Sequence, residues 1–125
     1  MPADVLIVDD SAAIRKILQR ILKNAQLPVG NILEAGDGVE ALAVLNANTI
    51  GLVLTDINMP NMDGLRFLSE VRSDARWKDL PVVVITTEGS EQKVMEAAKL
   101  GASAYLRKPF TTDQIKEKLE KLVSA

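Results

Sequence analysis

At 125 residues the chain has the length of one domain, with 47% hydrophobic and 26% charged residues, a globular rather than a disordered balance. A formal charge of −2 lacks the basic surplus of a nucleic-acid binder, and no apolar run approaches the length of a membrane span. Cysteine and histidine are both missing, so any chemistry must run on carboxylates, hydroxyls, lysine or a metal held by oxygen ligands.

Met1-Pro2-Ala3-Asp4 has neither the basic region nor the apolar segment of a signal peptide, so the expected location is cytoplasmic. Val5-Leu6-Ile7-Val8 is a continuous apolar run ending at Asp9-Asp10, the pattern of a strand buried on both faces. From Ser11 onward Ile14, Ile17, Leu18, Ile21, Leu22 and Ala25 recur at helical spacing, and Leu27-Pro28 ends the helix. A short strand follows over about Asn31 to Ala35. The next helix starts at Asp37-Gly38, with Val39, Leu42 and Leu45 expected on one face, and ends near Asn46-Ala47-Asn48.

Gly51-Leu52-Val53-Leu54-Thr55-Asp56 is a buried-strand run halted by the turn residues of Asn58-Met59-Pro60-Asn61-Met62-Asp63-Gly64. Asp56 is therefore expected at a strand tip. A third helix begins near Asp63, carries Leu65, Leu68 and Val71, and fades by Ser73-Asp74. Pro81 to Thr86 is the fourth strand, and a helix from about Ser90 to Leu100 is stopped by Gly101, which suits a left-handed turn. Ala104-Tyr105-Leu106 leads to Lys108-Pro109. Thr111 and Gln114 then form a capping box for a last helix striped by Ile115, Leu119 and Leu122.

Five strands alternating with five helices make an α/β domain, a doubly wound parallel sheet of the flavodoxin-like kind. Ligands of such sheets sit beyond the carboxyl ends of the strands. At those ends stand Asp9 and Asp10, Asp56, Thr86 and Thr87, and Lys108. Each has an ordinary explanation alone: a helix cap, a turn residue, a strand end, a solvated lysine. Together they describe one pocket with three carboxylates, a hydroxyl and an ammonium. Close carboxylates repel and recruit a cation, and Mg2+ suits a few hard oxygens beside a phosphate. Asp56 is then the nucleophile for a phosphoryl group, and Lys108 and Thr86 contact its oxygens.

Val8-Asp9-Asp10-Ser11, Glu34 to Leu42, Asp56 to Gly64, Gly101 to Tyr105 and Lys108-Pro109-Phe110 carry a resemblance that covers nearly the whole chain. The sequence resembles the receiver domains of two-component response regulators, especially the stand-alone chemotaxis regulators among them. That family is itself a standing example of strand order 2-1-3-4-5. The resemblance implies one receiver domain over residues 1–125, with no effector domain. Asp56 would be the phosphoacceptor of a histidine kinase, and Asp10, Asp56 and the Asn58 carbonyl would hold Mg2+, with Asp9 acting largely through water. It further implies a cis Lys108–Pro109 bond and a switch in which Thr86 moves towards the phosphoryl group and Tyr105 turns inward. Docking would use a face around Gly89, Tyr105, Arg107, Ile115 and Lys118. The implied partner is a flagellar motor switch component or a phosphatase, met by a monomer that contacts neither nucleic acid nor membrane.

Several residues depart from or match the chemotaxis pattern. Thr87 replaces an alanine, implying tighter access and slower turnover, whereas Asn58 and Glu88 match and favour a short-lived phosphoryl state. Ile57 replaces a tryptophan beside the acceptor, so Mg2+ should quench Trp77 fluorescence little. Arg107 places a charge where an apolar residue is usual, which bears on partner choice. A phosphorelay carrier or phosphate sink is the alternative role for the same domain. A haloacid-dehalogenase-type phosphatase would want an acid where Asn58 stands, together with a cap that has no sequence here. A flavin carrier would want a hydroxyl-rich phosphate loop in place of Asp9-Asp10.

Overall fold

In the computed structural model, which describes residues 3–87 and 89–123, strands and helices alternate from end to end. The strands are β1 (Ala3–Val8), β2 (Val29–Ala35), β3 (Leu52–Thr55), β4 (Val82–Thr86) and β5 (Ala104–Arg107). The helices are α1 (Ala12–Asn24), α2 (Gly38–Ala47), α3 (Gly64–Ser73), α4 (Glu91–Lys99) and α5 (Thr112–Val123). All strand pairs are parallel, and the sheet order is β2-β1-β3-β4-β5, as expected for the doubly wound fold.

Successive strand residues point to opposite faces, so each continuous apolar run feeds two cores. Ile7, Leu54 and Ile85 face Leu22 of α1 and Ile115 and Leu119 of α5. Leu6, Val53 and Val82 face Leu45 of α2 and Phe67, Leu68 and Val71 of α3. Among the described residues no helix is long and apolar enough to cross a membrane.

Caps fix where the helices begin. The side chains of Ser11, Asp37, Asp63 and Ser90 each accept the backbone N–H three residues on. The capping box is reciprocal: Thr111 N–H donates to Gln114 Oε1 at 2.8 Å and Gln114 N–H to Thr111 Oγ1 at 3.1 Å. Gly101 takes φ +97° after α4, the left-handed turn its sequence position implied.

Three local expectations need correction. Val39 is 53% exposed, because the Asp37 cap sets a phase in which Gly38, Ala41 and Leu45 point inward. Helix α2 is apolar around most of its circumference, so periodicity alone did not single out that face. Strand β2 begins at Val29 rather than Asn31, since Gln26 at φ 57° turns the chain straight out of α1. Ile115, expected on a docking face, is buried in the core at 1% exposure beside Leu119. A helical stripe that seals a sheet cannot also meet a partner.

Candidate functional site

The register of the central strands builds the site. Val8 pairs with Thr55, so the residues following them, Asp9 and Asp56, leave the sheet side by side. Each remains tied to the ladder: Asp9 N–H donates to Ala35 O at 3.1 Å, and Asp56 N–H to Val8 O at 3.0 Å. Gly64 N–H donates to Ile57 O at 2.8 Å, folding the start of α3 back over the Asp56 backbone. A side chain at Gly64 would fall on the Asp56 carbonyl oxygen, so only glycine permits this approach.

Lys108 arrives from the far side of the sheet. Its backbone N–H donates to Thr86 O at 2.8 Å, and the bond to Pro109 is cis. Its ammonium then bridges Asp9 Oδ2 at 2.9 Å and Asp56 Oδ2 at 3.0 Å. The lysine side chain is only 13% exposed, which rules out the ordinary solvated surface lysine. The free oxygens are also engaged, Asp9 Oδ1 by Ser11 N–H at 2.9 Å and Asp56 Oδ1 by Ile57 N–H at 2.6 Å.

Burial raises the Asp9 carboxyl above its ordinary range, an effect that the Lys108 bond and the Ser11 N–H only partly offset and Asp56 reinforces. Burial also acts on Lys108, pulling it down, but its bonds to Asp9 and Asp56 and their charges together raise it. The two directions are not symmetric across the pair. One ammonium serves two acids, so it is held charged while Asp9 remains short of positive charge.

Asp10 completes the cluster on the solvent side. Carboxylate oxygens of Asp9, Asp10 and Asp56 all lie within 4.8 Å of one another, with Asp9 buried and Asp10 exposed. This donor set fits a hard divalent cation: few carboxylates, an open solvent side and charge left over. Of the remaining expected residues, Thr86 is fully buried at the end of β4, and Asn58 is exposed in the loop after Asp56. Thr87 is exposed; Glu88 lies outside the described residues.

The remaining expected switch and docking residues lie on β5, on α5 and in the connection before α4. Tyr105 pairs in register with Val84, two residues short of Thr86, and its half-buried ring packs against Ile57, Leu65 and Ala97. Arg107, opposite Thr86 in the register, lays its guanidinium against Gly89. Lys118 is exposed on α5.

Sequence reasoning missed Arg15, whose Nη1 donates to Asp9 O at 2.6 Å while Nε donates to Glu34 Oε1 at 2.9 Å. Its only sequence signal is its place one turn into α1, on the side facing the strand tips. Asp37, Asn61 and Met62 belong to the turn, cap and family-like segments of the sequence, which imply no contact among them. In the structure they join the α2 terminus to the loop after Asp56.

The description "Response regulator receiver domain" belongs to the family model that matches residues 5–120. The chain is 47% identical over 117 residues to the chemotaxis protein CheY1 of Helicobacter pylori, covering 93% of each. It is 42% identical over 118 residues to the chemotaxis protein CheY of Pseudomonas aeruginosa, covering 94% of each. The solved structure of chemotaxis protein CheY4 of Vibrio cholerae superposes with a TM-score of 0.88 at 34% identity, covering 98% of this chain and 100% of that one.

Proposed function

The chain belongs to the response regulator receiver domain family, homologous to chemotaxis proteins, and from that premise we propose a phosphorylation switch working through Asp56. An Asp56 carboxylate oxygen attacks the phosphorus of a histidine kinase's phosphohistidine. The P–N bond breaks as the P–O bond forms, and the imidazole leaves with the bonding electron pair. Lys108, fixed between Asp9 and Asp56, meets the phosphoryl oxygens as charge shifts onto them. Asp10, Asp56 and the Asn58 carbonyl would hold Mg2+, with Asp9 acting largely through water, and the ion would neutralise the acid cluster and draw the phosphoryl group in.

The observation that carries this reading is the Lys108 bridge. A buried ammonium shared by two carboxylates at the carboxyl rim is an anion site waiting beside a cation site. Thr86 then hydrogen-bonds a phosphoryl oxygen, a bond of about 1.5–3 kcal/mol to a charged group, and Tyr105 turns inward. That magnitude tilts a two-state loop without remaking a fold. Output passes to a flagellar motor switch component or a phosphatase across the face carrying Gly89, Tyr105, Arg107 and Lys118, and the receiver is a single unit over residues 1–125.

Incubation with labelled acetyl phosphate and Mg2+ tests the acceptor. Wild type is expected to take up label and Asp56→Asn none; equal labelling of the variant would overturn the assignment. Tyr105→Ala is expected to keep labelling but lose phosphorylation-dependent pull-down of the motor component. Transfer of label from Asp56 to a histidine on a second protein would favour a relay role.

A further inference from the structure

We propose that Asp37 and Asn61 are positioning residues for the divalent-cation site, clasping the loop that carries Asn58 to the start of α2. The proposal rests on the cation reading above and extends it to residues outside the acid cluster. A plain helix cap needs one carboxylate oxygen, and Asp37 Oδ1 fills that role by accepting Glu40 N–H at 2.9 Å. Its second oxygen does something else. Oδ2 accepts Asn61 Nδ2 at 2.7 Å across 24 residues of sequence, and Asp37 is only 5% exposed. Alongside it, Gly38 N–H donates to Met62 O at 3.1 Å.

Asn61 holds φ 65°, a left-handed conformation that asparagine tolerates better than most residues but does not prefer. The side-chain bond to Asp37 secures that turn. Nearer its ends the loop is closed by Gly64 N–H on Ile57 O and by Met62 N–H on Pro60 O, at 2.8 and 2.6 Å. Asn58 thus lies on a span fixed behind by the strand tip and ahead by the clasp. Asp37 itself is held below the ordinary carboxylate range, chiefly by the Asn61 amide and then by Glu40 N–H, so it stays an acceptor at neutral pH. Without the clasp, the loop would sample positions in which the Asn58 carbonyl is withdrawn from the acids, and cation affinity would fall.

Isothermal titration with MgCl2 of wild type, Asp37→Ser, Asn61→Gly and the exchange Asp37→Asn/Asn61→Asp reads this without any phosphotransfer. Asp37→Ser keeps a hydroxyl oxygen for the α2 cap but is too short to reach Asn61, breaking the clasp. Asn61→Gly removes the bond while tolerating the turn. The exchange restores donor and acceptor with their sides reversed. Each single variant is expected to weaken Mg2+ binding about tenfold, the low end for losing a group that orients a metal ligand, and the exchange to recover most of it. Unchanged affinity in the single variants, or an exchange as weak as they are, would overturn the proposal. Should Asp37→Ser fail to fold in chelator, the exposed Asn61 site carries the same comparison. If wild type itself binds no Mg2+, the cation reading fails and this one with it. Wild-type binding with unaffected variants rejects the clasp alone.

Discussion

The two ends of the sheet treat charge in opposite ways. At the carboxyl end Lys108, Asp9 and Asp56 are drawn into the interior, with side-chain exposures of 13%, 3% and 12%. At the amino end the ion pair is left in solvent: Arg76 grips both oxygens of Asp74 at 3.0 and 2.8 Å. It also reaches Asn46 at 3.0 Å, and its guanidinium lies 4.3 Å from the Trp77 ring centre. Beneath it Trp77 and Leu80 close the core, and Arg72 braces the Trp77 and Gly101 carbonyls. An exposed pair contributes little to stability, and a buried one is costly to desolvate, so the interior charges are better explained by chemistry than by holding the fold together. The amino end is built from packing, the carboxyl end from electrostatics.

Lys108→Met would sharpen that contrast most. Removing the ammonium is expected to lower label uptake by about 10²-fold or more, the scale for losing a preorganised charge-stabilising donor. Uptake within a few-fold of wild type would break the contrast. Trp77→Ala is expected to do the reverse. Stability in urea should fall by about 2 kcal/mol, below the usual cost of truncating a fully buried aromatic because this ring is only part-buried, with label uptake per folded molecule unchanged.

A smaller effect concerns Asp74, which the Arg76 side chain and backbone N–H lower to about 2. A depressed carboxylate adds stability that is present above its unfolded pKa, about 3.9, and lost as pH falls through the folded value. The stability difference between wild type and Asp74→Asn is therefore expected to shrink between about pH 4 and pH 2. A difference that grew with acid would contradict the sign. Least of all, Mg2+ should leave Trp77 fluorescence nearly unquenched, since the ring sits before β4 and the acids sit beyond the opposite end of the strands. Strong quenching by added MgCl2 would mean that the two ends communicate.

The sequence declared the carboxyl-end residues through strand endings. Apolar runs that stop on Asp9, Asp56 and Thr86 mark tips, and doubly wound topology gathers tips. The helix caps and the Thr111–Gln114 box were legible for the same local reason, and the strand order followed from the alternation of elements together with the family resemblance. Contacts between loops were not. The Asp37–Asn61 bond depends on a left-handed turn at residue 61, and the Arg15–Asp9 carbonyl contact on a rotamer, neither of which has a period or a motif. The inward face of α2 was hidden because apolar residues surround it. Ile115 shows the same limit from another side, since resemblance implied a surface where the helical stripe implied a core, and the stripe prevailed.

The ammonium that completes the pocket follows Asp9 by 99 residues. During translation the acids of the first and third strands emerge well before their counter-charge, at about 5–20 residues per second. Until β5 docks, a nascent chain therefore carries Asp9 and Asp56 without their Lys108 partner, and the pocket's charge balance arrives with the last strand of the sheet.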